Sequence, residues 1–296
     1  MKRIVLNALG PLVGVLLAGG VFSLPAAAQT ELKFGHVGAP GSLFDQSANE
    51  FAKRANEKLG GKAKVVVFGS SQLGTDEQML QKLRLGTIDF ALPSTVMSTV
   101  SDVFGLFEMP YLVKDREHMK RIADDVFWPS LAPAAEQQGY KIVGLWENGF
   151  RHTTNNSHPI TKVEDFSGLK FRVQPSPIFI ETFNAFGANS VTMSFSELYT
   201  ALEIGTVDAQ ENPLLNILTA NLNEVQDYLS LTGHVYGNGV ILVSKMFWDQ
   251  LSQTEKKIIQ DAVLEARDYQ RQESRRQARE AIGELKAKGM EVNEIA

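Results

Sequence analysis

A chain of 296 residues, 44% of them hydrophobic and 21% charged, is long enough for one large or two ordinary domains. Its formal charge of −5 advertises no basic surface for nucleic acid, and the absence of cysteine excludes a disulfide framework or a thiolate metal site. The five histidines, His36, His118, His152, His158 and His234, lack any H-E-x-x-H pairing, so neither a metal nor another cofactor is indicated.

Residues 1–28 read as a targeting segment: Lys2 and Arg3 are followed by an apolar run and by Ala26-Ala27-Ala28, an A-x-A site with cleavage before Gln29. The run approaches the length of a membrane span, so an anchor is the competing reading. Pro11, the interrupting glycines and the A-x-A ending favour export with cleavage. Removing the segment leaves 296 − 28 = 268 residues with charge 27 − 34 = −7.

Beyond it, short apolar strands alternate with amphipathic helices. Strands are expected at 32–37, 63–68 and 88–92, with helices at about 43–59 and 75–85 between them, an alternation that implies a parallel sheet with right-handed crossovers. Residues 107–113 read as a buried extended segment near a lobe interface, and 114–139 as helix with a break near Pro129. A strand at 140–146 leads to Glu147-Asn148-Gly149, the first crossing between lobes.

The most informative stretch follows. Leu169 to Val173 is a strand that must end at Pro175 and Pro177, which leaves Arg172 at its carboxyl end, where ligands of open α/β sheets bind. Ser194-Phe-Ser-Glu197 is a capping box opening a helix that stops at Gly205. A strand at 206–210 then ends at Glu211-Asn212-Pro213, with Pro213 placed to open a helix. Residues 83–91 and 202–210 share Leu, Gly, Thr and Asp at the same places, an echo of two related lobes or of a recurrent helix-to-strand turn. After a strand at 240–244, the capping box Ser252-Gln-Thr-Glu255 starts a helix that runs to about Lys288, roughly 50 Å, long enough to lie along both lobes. Its interspersed acids and bases describe a solvated face.

The segments K-F-R-V at 170–173 and E-N-P at 211–213, preceded by E-N-G-F-R-H-T-T at 147–154, together resemble the DctP-type solute-binding proteins of tripartite ATP-independent periplasmic (TRAP) transporters, along nearly the whole chain from Leu32 to about Val292. The resemblance implies a two-lobe α/β periplasmic binding protein fold, class II-like, with crossing strands and a long helix spanning both lobes. The implied boundaries are 1–28 for the signal peptide, 29–147 plus 237–275 for lobe one, and 148–236 plus 276–296 for lobe two. Relatives usually continue for a few dozen residues past the point corresponding to Ala296.

The resemblance also implies a periplasmic, monomeric protein that captures an organic acid anion and delivers it to the small and large membrane subunits of a transporter driven by an ion gradient. A C4-dicarboxylate, a sugar acid and a keto acid all fit. Arg172 would bind the carboxylate through two parallel charge-assisted hydrogen bonds. Asn212 would add an amide donor, or cap the helix after it; Arg151 would line the site or hold the hinge in a salt bridge. Phe195 would stack on the carbon skeleton and Gln174 would face the far end. From lobe one, His36, Ser94, Thr95, Trp146 and Asn148 are candidates, because each lies at or just beyond a strand's carboxyl end.

Two rivals remain at this stage: a binding component of an ABC importer or membrane sensor, and an exported isomerase or lyase with His36 or Glu147 as base. Against the second, no nucleophile is paired with a base, and Gly69-Ser-Ser-Gln-Leu-Gly74 matches neither a nucleophile elbow nor a P-loop. The chain therefore reads as a non-enzyme.

Overall fold

A computed structural model describes residues 29–295. The expected signal peptide, residues 1–28, lies outside the described residues. In chain order the elements begin with β1 (Thr30–His36), α1 (Leu43–Leu59), β2 (Ala63–Phe68), α2 (Asp76–Arg84) and β3 (Phe90–Leu92). Two 3₁₀ turns then lead to α3 (Arg116–Ile122) and α4 (Ala132–Gln137), followed by the long strand β4 (Tyr140–Asn155). Next come β5 (Lys170–Val173), α5 (Pro177–Ala185), β6 (Asn189–Thr192), α6 (Phe195–Glu203), β7 (Ala209–Pro213) and α7 (Leu214–Thr219). The chain finishes with β8 (Tyr228–Ser244), α8 (Lys245–Gln250), α9 (Gln253–Ala287) and β9 (Glu291–Glu294).

The sheet order is β2-β1-β3-β8-β4-β7-β5-β6, which reads alike from either end: each half has a first strand flanked by two parallel partners, and β8 and β4 join the halves. Both joining strands cross from one half to the other without interruption, with pairing from Tyr140↔Ser244 to Asn155↔Tyr228. Their register shifts between Glu147 and Gly149, the point at which Gly149 takes φ +107°, a conformation that glycine adopts without strain.

The internal echo is structural. Gly86 and Gly205 both take left-handed φ, +69° and +71°. In both, the next threonine returns an N–H to the helix, Thr87 to the Lys82 carbonyl and Thr206 to the Ala201 carbonyl, each at 2.9 Å. Asp89 and Asp208 each accept from a strand N–H, Lys33 at 2.7 Å and Lys170 at 3.1 Å. Capping boxes at Thr75/Gln78 and Ser194/Glu197 start the two helices at the same distance upstream.

Each half buries an apolar layer on both faces of its strands. In the first, α2 and the segment 97–137 cover one face and α1 with the start of α9 the other. In the second, a phenylalanine cluster under α5 covers one face, while α6, α7 and the end of α9 cover the other. Helix α9 thus contributes Ile259, Ala262 and Val263 to one core and Ala281 and Leu285 to another. Between them, Gln270 accepts from the Glu147 N–H at 3.0 Å and donates to its carbonyl, pinning the helix to the crossing.

Three local expectations are corrected. Residues 102–108 form a 3₁₀ turn, and Met109 and Tyr111 beyond it are 48% and 60% exposed; the segment is held by the Tyr111 N–H donating to the His234 carbonyl (2.7 Å) instead of by burial. Pro129 does not break its helix: the stretch Ala123–Leu131 widens to π geometry, with the Ala132 N–H reaching the Phe127 carbonyl. Strand β7 starts three residues later than expected and includes Glu211, Asn212 and Pro213, because these residues pair with β4 from Arg151↔Pro213 to Asn155↔Ala209.

Candidate functional site

The carboxyl ends of β1 and β3 in one half, and of β5, β6 and β7 in the other, meet at the junction of the halves. Arg172 stands there. Its strand neighbours Phe171 and Val173 enter the core under α5, so alternation turns the guanidinium to the opposite face. Its Nε and Nη2 donate to the Met193 carbonyl at 3.0 and 2.7 Å, while Nη1 is buried with no partner. The residue is 2% exposed. Burial pulls its pKa down to about 10 against the opposing charge of Glu211, so it stays ionised at neutral pH. An ionised donor held out of water needs an anionic acceptor, and a carboxylate fits the free edge.

Arg151 is differently occupied. Its Nε and Nη2 grip the Glu211 carboxylate (2.8 Å from Nη2 to Oε1), and Nη2 also reaches the Glu211 carbonyl at 2.9 Å and Asn212 Oδ1 at 3.3 Å. Burial pushes the Glu211 carboxyl up, but Arg151 and His234 outweigh it and draw the pKa to about 2. From the other half, Thr95 Oγ1 accepts from Arg151 Nη1 at 3.4 Å. Asn212 donates to Gln210 Oε1 at 2.6 Å, and Gln210 donates to Thr154 Oγ1 at 2.8 Å, a buried polar ladder that locks the amide.

The remaining candidates divide. Gln174 is buried with its Nε2 unpartnered, and His36 is fully buried with neither ring nitrogen hydrogen-bonded. Burial lowers the His36 pKa to about 4, with Asp45 opposing, so the ring is neutral. Phe195 packs against the cores of both halves. One candidate is displaced: Trp146 is a core residue against α9, its indole N–H turned to the Val263 carbonyl (3.4 Å), because strand alternation points it away from the junction. Asn148 is buried with both its amide nitrogen and oxygen unpartnered, and a Cβ on Gly237 would meet both its Cβ, at 3.3 Å, and Thr95 Oγ1, at 3.1 Å. Ser94 is engaged: its hydroxyl and N–H donate to Asp76 at 2.6 and 3.1 Å.

The model for bacterial extracellular solute-binding proteins, family 7 (DctP), matches residues 34–296. The chain belongs to that family. It is 34% identical to the 2,3-diketo-L-gulonate-binding periplasmic protein YiaO of Escherichia coli, over 94% of this chain and 85% of that one. It is also 34% identical to the C4-dicarboxylate-binding periplasmic protein DctP of Rhodobacter capsulatus, over 95% and 85%. Among solved structures, the sugar acid binding protein DctPAm of Advenella mimigardefordensis in complex with galactonate superposes with a TM-score of 0.88 at 36% identity, covering 90% of this chain and 87% of that one. The two-lobe fold of the DctP family is therefore the fold of this chain.

In this DctP-family chain, sequence reading missed four partners. Glu211 sits between Arg151 and His234, whose Nε2 lies 3.2 Å away. Asp76 opens α2 at the place Phe195 holds in α6, a match the echo would have exposed had it been traced back to the two capping boxes. Glu108 bridges the halves, accepting from Ser98 Oγ at 2.6 Å and from Ser176 Oγ. Glu147, a base in the enzymatic rival, is bonded by Arg116 (2.6 Å) and Ser274 (3.1 Å), and its backbone by Gln270, contacts that clamp the crossing.

Proposed function

We propose that this protein is a periplasmic solute-binding protein that captures an organic acid anion between its two lobes and delivers it to a TRAP-type membrane transporter. The observation that carries the reading is the buried Arg172 guanidinium, held by the Met193 carbonyl on one edge and left with a free N–H on the other. Arg172 clamps the ligand carboxylate. Arg151, neutralised by Glu211, positions Asn212 beside it and ties the second lobe to Thr95 of the first. Phe195 covers the carbon skeleton, and Gln174 and His36 meet the polar groups at the far end.

The halves move about the crossing at Glu147-Asn148 and Tyr236-Gly237, with α9 bending near Arg275, so that lobe one comprises 29–147 plus 237–275 and lobe two 148–236 plus 276–296. Ligand binding shifts the population toward closure. The chain is exported, cleaved after Ala28, works as a monomer without catalysing a reaction, and docks when closed on the small and large integral subunits of its transporter.

A thermal-shift screen of residues 29–296 against organic acids, each paired with its neutral analogue, tests the reading. An acid present at a hundred times its Kd stabilises by roughly 2.7 kcal/mol. The expected result is a shift with an acid and none with its neutral partner, lost in Arg172→Ala; shifts with neutral compounds alone would overturn it.

A further inference from the structure

The charges at the junction also bear on which acid is bound. Two arginines reach the strand ends. Arg151 spends its Nε and Nη2 edge on Glu211, so its charge is already balanced. Arg172 alone has a buried N–H without an acceptor. The imidazole of His36 is neutral. The site therefore offers a charge-assisted hydrogen bond to one ligand carboxylate, and a second would enter a water-poor space with no free cationic N–H to meet it.

Facing Arg172 from the other lobe is an acid. Asp76 is the first residue of α2, and its carboxylate is oriented by two donors from one residue, the Ser94 N–H at 3.1 Å and hydroxyl at 2.6 Å. Those bonds occupy one lone pair on each oxygen and leave the others free. Burial raises the Asp76 pKa while its Ser94 donors and the Arg172 charge hold it down, and Asp76 in turn favours the charged form of Arg172, so the two lie close. At the carboxyl ends of β1 and β5, both His36 nitrogens and Gln174 Nε2 are buried without partners. An acceptor-only carboxylate, a neutral imidazole with one donor and one acceptor, and an amide donor together match groups that both donate and accept. Hydroxyl groups do this; a carboxylate does not.

We infer that the ligand is a monocarboxylate bearing several hydroxyl groups, with its carboxylate on Arg172 and a hydroxyl donating to Asp76, and that Asp76 is the residue that rejects dicarboxylates. This rests on the carboxylate-binding reading above. Ser94 is then a positioning residue, holding Asp76 in place.

Calorimetry on the native protein with matched sets tests the inference: threonate, succinate, butyrate and erythritol at four carbons, and gluconate, adipate, hexanoate and sorbitol at six. In at least one set the hydroxy acid binds about tenfold or more tighter than the dicarboxylate and the plain acid, the gap expected for one charge-assisted hydrogen bond. Asp76→Asn loses that preference and admits the dicarboxylate, while Ser94→Ala weakens hydroxy-acid binding by less. A native protein that prefers succinate or adipate, or a folded Asp76→Asn protein that keeps the native ranking, overturns the inference and leaves carboxylate binding standing. If no acid binds, or if the polyols bind as well as the acids, both readings fall together.

Discussion

The two lobes share one frame and differ in what they set on it. Both carry Leu-Lys-Phe at their first strand, 32–34 and 169–171, both tie that lysine's backbone to an aspartate after a Gly-Thr turn, and both open the intervening helix with a capping box. After Leu-Lys-Phe, however, the first lobe places Gly35 and the second Arg172. A Cβ on Gly35 would come within 2.6 Å of Met79 Sδ, so α2 packs on bare backbone there, whereas the second lobe leaves room for a guanidinium. At the helix start the pair is Asp76 and Phe195; at the end of the last strand it is Leu92 and Glu211. A frame used twice leaves the functional difference in a handful of side chains at strand and helix ends.

The largest expected effect comes from removing that difference. Arg172→Ala should weaken ligand binding by about 4 kcal/mol, nearly a thousandfold, because it deletes one partner of a desolvated charge pair. Calorimetry reads it, and a loss under tenfold would mean that the clamp lies elsewhere. Next, Glu211→Gln leaves Arg151 charged and uncompensated in the interior and should destabilise the fold by about 3 kcal/mol in urea titrations, with Arg151→Met/Glu211→Leu recovering part of the loss. The position matching Glu211 in the first lobe is Leu92, already apolar, so no comparable coupling exists there.

Acid should loosen the protein through its histidines. His36 and His152 have pKa values lowered by burial to about 4 and about 3, so between those values and 6.5 the unfolded chain binds protons that the folded chain refuses. Their contribution is fully present above pH 6.5 and is lost as pH falls, by about 2 kcal/mol per histidine between pH 7 and 5. Unfolding free energies at pH 7, 6 and 5 check it, and a flat profile would contradict their burial as neutral rings. Glu211, with its depressed pKa, adds a further loss in the same direction below pH 4.5. The smallest effect probes what the lobes share: Gly86→Ala and Gly205→Ala, both at left-handed φ, should each destabilise by about 1 kcal/mol and to the same extent. Unequal values would show that the two turns are alike in shape only.

Much of the frame was legible in the residues because its signals are local. Capping boxes at Ser194 and Ser252, the glycines at 86 and 205, and the prolines after Val173 act within a few positions, and the helices and turns they announce are present. The position of Arg172 at the end of its strand followed from the same short-range logic. What escaped were pairings between distant segments. Trp146 sits at the right place along its strand but faces α9, since which side of a crossing strand is covered depends on a helix more than a hundred residues later. Asp76, Glu108 and Glu147 carry no local mark as cross-chain partners, because their donors Ser94, Ser176 and Arg116 come to them only when the sheet closes. The amino-acid sequence by itself determined the alternation of strands and helices and the cation at the end of β5. Only the tertiary structure decided which carboxylates face that cation and which hold the hinge, since electrostatic pairing depends on distance in space, which local residue patterns do not encode.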